Sequence, residues 1–207
     1  MSAFEVRPEF DWLPAEVPIE TDVEQAASRW VAPYSQVVHL MRTRDWLVHL
    51  SPEATLEARL AAMTHDIERM FPGGPTVDYA NIRWDDPTYL YPHQLRSARL
   101  VGDWLSSEGH GADVDVDEVR RLIGLHEVGG LGLADDLQAA DSLSFLETLA
   151  GLAGDWVRTG ACSRDNAIAK LTYSVDRIRL DRASEQARAL LPWAIDQIPA
   201  ERTKESS

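Results

Sequence analysis

The signals that start and stop helices constrain most strongly how this chain can fold. Ser51-Pro52-Glu53 and Asp86-Pro87 each place a side chain that can cap a helix directly before a proline, which is favoured in the first helical turn. Apolar residues between such signals recur every three or four positions, and short β-branched runs with strict alternation are missing. The sequence therefore predicts an all-α protein.

The same pattern divides the chain into an arm, one helical domain and a tail. Prolines 8, 14 and 18 predict an extended arm over residues 1–20, ahead of a single helical bundle over residues 21–200 and a flexible tail over 201–207. A loop over residues 71–86 is expected to shape specificity. Predicted helices cover residues 21–30, 37–50, 51–70, 86–108, 115–127 and 135–153, with one or two more within 163–198.

Charge and composition make several classes of function improbable for this chain. A net charge of −14 leaves no basic stripe for a long nucleic acid, although a local group of cations can still attract a small anion. No apolar stretch approaches the roughly 18 residues of a membrane-spanning helix, and no export signal is recognised. Cys162 is the single cysteine, so we expect no internal disulfide and a cytoplasmic location. No pattern indicates an oligomeric state.

Histidines and aspartates recur at helix-length intervals, so that each of five predicted helices carries at least one of them. Imidazole and carboxylate groups are common ligands of divalent transition metals. The candidate metal ligands are His39, His65, Asp66, His93, His126 and Asp141. A bundle that brings these helices together would therefore form a metal site.

The order of these residues resembles the signature of the HD superfamily of metal-dependent phosphohydrolases. That signature is a histidine, then a His-Asp doublet, then a distant aspartate, each on a different helix. The matching segments are Val38-His39-Leu40-Met41-Arg42, Ala61-Ala62-Met63-Thr64-His65-Asp66-Ile67 and Ala139-Ala140-Asp141-Ser142-Leu143. The resemblance covers roughly residues 30–185, and His93 and His126 fall where members with two metals carry additional ligands.

This resemblance implies a two-metal site and a hydrolytic reaction. Asp66 would bridge two ions, and a hydroxide between them would attack a small phosphorylated metabolite or nucleotide. Asp66 and Arg69 are the expected catalytic residues. The ligand set suits one or two ions of iron, manganese, cobalt, nickel or zinc. By the same resemblance, one ion would be held by His39, His65 and Asp141, and the other by His93 and His126.

Two other functions remain open at this point. Some members with this ligand set are oxygenases, in which a mixed-valent di-iron centre cleaves carbon–hydrogen bonds. A helical module that binds metal for sensing or interaction, without catalysis, is the third possibility. The ligands alone do not separate these chemistries, and we favour hydrolysis because it is the commoner activity of the superfamily.

Charged residues next to the candidate ligands have two possible roles. Arg42, Arg69 and Arg96 each follow a candidate histidine by about one helical turn, which places each pair on one helix face. They would bind phosphate or orient ligands, or they would form surface ion pairs. We expect Trp84 to be part of the core, although its place in the loop would also allow it to cover a base or a sugar.

Two glutamates and three cations complete the candidate set. Glu68 follows Asp66 by two residues, which on a continuous helix points it away from the aspartate, so we expect it to be solvated. Glu127 is adjacent to His126 and could support that ligand, but we favour a position at the surface of a helix end. By resemblance to the superfamily, Lys170, Arg177 and Arg179 would line the mouth of the site.

Overall fold

The prediction of an all-α fold is confirmed. The computed structural model describes residues 7–81 and 83–200, and within them it contains nine α-helices and no strand. The helices are α1 (Asp22–Val31), α2 (Val37–Leu50), α3 (Leu56–Thr64), α4 (Pro87–Ser107), α5 (Val116–Leu125), α6 (Leu133–Thr148), α7 (Ala150–Thr159), α8 (Arg164–Asp176) and α9 (Asp181–Asp196). Short 3₁₀ helices cover Ile67–Met70 and His110–Ala112. No helix of the described chain is long and apolar enough to cross a membrane.

Helix α6 is the central element of the bundle. Its residues are buried on every side, because small and apolar residues surround its axis rather than forming one stripe. Helix α2 packs along it most extensively, and α3, α5, α8 and α9 cover its other faces. A residue of α6 can therefore meet side chains from several helices at once.

Most of the predicted helix starts agree with the structure. Thr21 caps α1, where its Oγ1 accepts from the Glu24 amide, and Asp86 caps α4, where its carboxylate accepts from the Thr88 amide. Asp115 caps α5 in the same way. The range predicted for the second helix, 37–50, matches α2.

The helix predicted over residues 51–70 is wrong at both ends. Ser51 ends α2 instead of starting α3: its amide donates to the Leu47 carbonyl, and its hydroxyl donates to Asp136. Thr55 caps α3 instead. At the other end, α3 stops at Thr64, whose hydroxyl donates to a carbonyl of the preceding turn. The His65-Asp66 doublet therefore lies in a turn between α3 and a 3₁₀ helix.

A second boundary also differs from the prediction. The helix predicted over residues 135–153 is two helices, because Leu149 adopts φ −115° and ψ 5° between α6 and α7. Thr148 donates to the Ser144 carbonyl one turn earlier, which satisfies a carbonyl near the end of α6. The loop predicted over 71–86 contains no helix or strand in its described residues.

Residues 7–20 contain no helix and lie against α2. Two arginines of α2 hold this segment by donating to its carbonyl oxygens: Arg42 to Pro14, and Arg44 to Val17 and Pro18. The rest of the predicted arm, residues 1–6, and the predicted tail over 201–207 lie outside the described residues.

Candidate metal centre

The structure brings all six predicted ligands into one buried cluster. His39 lies on α2, His65 and Asp66 in the turn after α3, and His93 on α4. His126 follows the last residue of α5, and Asp141 lies in the middle of α6. Each of the six is at most 6% exposed. Residues that are far apart in sequence therefore share one buried space, which borders the cavity described below.

The Nε2 atoms of the four imidazoles lie close to two aspartate carboxylates. The Oδ1 atom of Asp141 lies 3.2 Å from His39 Nε2 and 3.3 Å from His65 Nε2. The Oδ1 atom of Asp66 lies 2.8 Å from His93 Nε2, 3.8 Å from His126 Nε2 and 4.0 Å from His65 Nε2. His65 thus stands between the two aspartates.

The hydrogen-bond partners assign the ring proton of His39. The hydroxyl of Ser144 donates to the His39 carbonyl, at 2.8 Å, which uses its one proton. At 2.9 Å from His39 Nδ1, the same oxygen must therefore accept, so Nδ1 carries a proton. A neutral ring then has its lone pair on Nε2, which faces Asp141.

The partners of Nδ1 also assign the ring protons of the other three histidines. His65 Nδ1 donates to the Ala62 carbonyl at 3.0 Å, and His126 Nδ1 donates to the Ile123 carbonyl at 2.7 Å, because a carbonyl oxygen can only accept. His93 Nδ1 donates to a carboxylate oxygen of Glu68 at 2.9 Å. In each neutral ring, Nε2 is left with a lone pair that points into the cluster.

The cluster needs a proton or a metal ion between these atoms. Burial opposes protonation of His65 and His93, but the neighbouring carboxylates prevail and raise the pKa of both imidazoles. Lone pairs of imidazoles and oxygens of carboxylates repel one another unless a proton or a metal ion lies between them. The Nε2 atoms of His65 and His126 are buried and have no hydrogen-bond partner among the described residues. The buried groups could hold a metal ion, and they form three overlapping sets: His39, His65 and Asp141; His65, Asp66 and His126; His93, His126 and Glu127.

The electrostatics of the cluster keep its aspartates ionised. Burial opposes ionisation of Asp66, yet the Arg69 guanidinium and the nearby imidazoles hold its pKa well below the usual range. Burial also opposes ionisation of Asp141, whose pKa is held well below the usual range by Arg177 and His65. Burial, together with repulsion from His65, lowers the pKa of His126 to about 4, which keeps this ring neutral at pH 7.

The expectation that Glu68 is solvated is wrong. Its side chain is buried, accepts from His93 Nδ1 and forms an ion pair with Arg96 at 2.6 Å. The angular argument assumed a continuous helix through Asp66, whereas the chain turns at that residue and continues as a 3₁₀ helix. Glu68 therefore orients the imidazole of His93 by accepting a hydrogen bond from its Nδ1 atom.

The expectation of a surface role for Glu127 is also wrong. Helix α5 ends at Leu125, and the following turn directs Glu127 inward, where it is 6% exposed. One of its carboxylate oxygens contacts Arg177, which also contacts Asp141, and the other lies 3.8 Å from His126 Nε2. Arg177 and burial have opposite effects on the pKa of Glu127: burial raises it, but the guanidinium prevails and lowers it to about 2.

The three arginines that follow candidate histidines have different environments. Arg69 contacts Asp66, donates to the Tyr89 hydroxyl at 3.1 Å and borders a cavity. Arg42 is buried and pairs with Glu147, on the side of α2 that holds the N-terminal segment. Arg96 pairs with Glu68. Of the three, only Arg69 lies where it could contact a bound substrate.

A narrow cavity of about 80 Å³ connects the cluster with solvent. His39, Asp66, Asp141 and Glu127 form its polar floor. Aromatic side chains form much of its wall: Tyr79, Trp84, Tyr89, Phe145 and Trp156. Lys170 and Arg177 line it as expected, whereas Arg179 pairs with Asp135 and is not among the lining residues. Trp84 is part of this wall rather than of the core.

Two residues that support the cluster were missed by sequence reasoning. Ser144, which fixes the proton of His39, had no detectable signal, because a serine in the middle of a helix is ordinary. Glu127 had one signal, its position next to His126, but its direction depended on where α5 ends.

Comparison of the chain with models of protein families, with curated proteins and with solved structures found no match. What can be proposed about function therefore depends on the ligand order and on the geometry of the site.

Proposed function

We propose that this protein is a metal-dependent phosphohydrolase of the HD type. One observation supports the proposal above the others: Nδ1 of all four histidines contacts a fixed acceptor, so that Nε2 is the atom that faces the two ionised aspartates. Histidines that bind a metal almost always donate their other ring N–H in this way. The order of the ligands along the chain is His, His-Asp, His, His, Asp, and this order resembles the signature of the HD superfamily.

The donor set fits two ions. His39, His65 and Asp141 would hold one, and His93, His126 and Asp66 the other, with Asp66 close enough to His65 to serve both. Two divalent cations, when bound, acidify a water molecule and stabilise charge on the entering and leaving oxygens of a phosphoryl group.

The residues around the ions favour an anionic substrate. Arg69, Lys170 and Arg177 line the cavity of a chain whose net charge is −14, so cations are concentrated where the rest of the surface would repel an anion. The surrounding aromatic side chains restrict water, which strengthens these electrostatic contacts. During hydrolysis the water oxygen would bond to phosphorus, the ester P–O bond would break, and the alcohol would leave with a proton.

Activity assays on reconstituted protein test this proposal. The chain, loaded in turn with iron, manganese, cobalt, nickel or zinc, is incubated with a panel of small phosphate monoesters while phosphate release and oxygen uptake are both recorded. Metal-dependent release of phosphate that is lost in Asp66→Asn supports the proposal, with Asp135→Asn, at a surface pair with Arg179, as control. Oxygen uptake with iron and no phosphate release identifies an oxygenase, and metal binding without either reaction identifies a sensor; both outcomes overturn the proposal.

A further inference from the structure

Lys170 is chemically unusual in this chain. Of the twenty cationic residues only two are lysines, Lys170 and Lys204, and all others are arginines. Arginine presents a planar fork suited to paired contacts with carboxylates, whereas the ammonium group of lysine is a compact charge. One of these two lysines lies on α8 and lines the cavity next to the metal cluster.

The ammonium group of Lys170 has no direct contact with a carboxylate, although Glu127 and Asp141 lie close enough to act on its charge. The other two cations of the cavity are neutralised, because Arg69 contacts Asp66 and Arg177 contacts Glu127 and Asp141. Within residues 7–81 and 83–200, by contrast, no carboxylate forms an ion pair or a hydrogen bond with the ammonium group of Lys170. An anion that enters the cavity would therefore find this charge available.

Aromatic rings hold the ammonium group in place. Its nitrogen lies 4.9 Å from the ring centre of Phe145, 5.4 Å from that of Tyr173 and 5.6 Å from that of Trp84, which are cation–π distances. The ring of Phe145 also contacts that of His39, with 6.4 Å between their centres. The ring of Phe145 thus contacts both the lysine and a candidate ligand.

The aromatic wall itself is not arranged to stack a nucleobase. Trp156 is covered by Trp84, with ring centres 5.7 Å apart, and by Tyr79, with ring centres 4.7 Å apart. Trp84 is further fixed, because its indole N–H donates to the Asn166 carbonyl at 3.0 Å. A cavity of about 80 Å³ is also far below the ~300 Å³ at which typical pockets for drug-sized ligands begin.

We propose that Lys170 binds an oxyanion, either a carboxylate or a phosphate, of a small metabolite whose opposite end reaches the metal cluster. The second half of this statement rests on the function proposed above, whereas binding of an oxyanion at Lys170 does not. The substrate class is thus narrowed from phosphorylated metabolites and nucleotides to small molecules that carry an oxyanion in addition to the reacting group.

The scarcity of lysine permits a direct experiment. Reductive methylation of the full chain with ¹³C-formaldehyde labels only Lys170, Lys204 and the N-terminal amine, and Lys170→Arg assigns the signal of Lys170. Inorganic phosphate and acetate are then titrated separately, with and without metal. We expect a saturable shift of the Lys170 signal with at least one of them, and no such shift at Lys204. An unchanged Lys170 signal with both anions, or equal shifts at both lysines, overturns the proposal.

Binding measurements on unlabelled protein provide a second readout. Lys170→Met keeps the length and apolar contacts of the side chain but removes its charge, and we expect it to weaken binding of the effective anion at least tenfold. Lys204→Met is the matched control and should bind as the native chain does. Comparable affinity in the two variants contradicts the proposal. Because neither readout needs turnover or metal, failure here is distinguishable from failure of the hydrolase proposal.

Discussion

The hydroxyl of Ser144 lies 2.9 Å from His39 Nδ1 and 2.8 Å from the carbonyl oxygen of the same histidine. A single serine therefore fixes both the orientation and the ring proton of a candidate metal ligand. Groups that position a ligand histidine in this way commonly change metal affinity by roughly 10- to 100-fold when removed. We expect Ser144→Ala to weaken metal binding within that range while the helical content is unchanged, as measured by competition with a chelator.

A matched control is available on the other side of His39. The hydroxyl of Thr43 donates to the same carbonyl oxygen, at 2.9 Å, but does not contact the ring. Thr43→Val should therefore leave the metal affinity close to that of the native chain. Equal losses in the two variants would mean that the carbonyl contacts, and not the ring proton, determine the affinity.

Glu68 is expected to support one of the two ions selectively. Its carboxylate accepts from His93 Nδ1 and pairs with Arg96, so Glu68→Gln removes the negative charge behind this imidazole and weakens it as a ligand. We predict that the variant binds one ion per chain under conditions where the native protein binds two. Metal analysis after gel filtration measures this, with Glu57→Gln, on α3 but outside the cluster, as control. Two ions retained by Glu68→Gln would contradict the assigned role.

Signals within one helical turn predicted much of the fold, whereas contacts between residues far apart in sequence were not predicted. The spacing of apolar residues and the caps at Thr21 and Asp86 predicted the fold class and several helix starts, because these signals act within one turn. Ser51 carried an equally good cap signal, yet Thr55 caps α3, and the Ser51 hydroxyl contacts Asp136, 85 residues away. Local patterns do not contain such long-range partners.

In the candidate site, the ligands were predicted from the sequence, but the residues that support them were not. The six ligands were named from their order along the chain, whereas the residues behind them depend on how the chain turns. Glu68 and Glu127 were assigned to solvent because the helices were predicted to continue through Asp66 and to Glu127, where in fact α3 and α5 have ended. An error of a few residues in a helix end is therefore enough to reverse the direction of a side chain.

A buried ion pair on α1 gives a prediction for the dependence of stability on pH. Burial acts against ionisation of Glu24, but hydrogen bonds from Arg59 and Arg44 outweigh it and lower the pKa of this glutamate. Because the folded pKa lies below the unfolded value of about 4.3, the pair stabilises the fold above that pH and its contribution is lost as the pH falls through the folded pKa. We expect Glu24→Gln to cost about 3 kcal/mol at pH 7.

Urea unfolding between pH 8 and pH 3.5 measures this effect. The difference in the free energy of unfolding between the native chain and Glu24→Gln should be constant down to about pH 5 and shrink below about pH 4.3. Glu20→Gln, at an exposed position, should change stability little at any pH. A difference for Glu24→Gln that grows as the pH falls would contradict the assignment.

Asn166 is expected to hold the loop over the cavity. Its amide donates to the Tyr79 carbonyl at 2.7 Å, next to the bond between Trp84 and the Asn166 carbonyl. Asn166→Ala removes a hydrogen bond worth about 1 kcal/mol, which should raise hydrogen exchange in residues 73–81 and 83–86 roughly fivefold without lowering the Tm appreciably. Asn81→Ala, which removes only an exposed contact with Asp78, is the control. Unchanged exchange in Asn166→Ala would show that other contacts hold the loop.

Metal stoichiometry tests most directly whether the cluster binds two ions, one of them through His65. The native chain, His65→Ala and His49→Ala are each saturated with one transition metal, freed of excess ion and analysed for metal and protein. His49 lies on α2 beside Arg182, outside the cluster, and serves as control. We expect two ions per chain for the native protein and for His49→Ala, and at most one for His65→Ala. No bound ion in the native protein, or two in His65→Ala, would contradict this expectation.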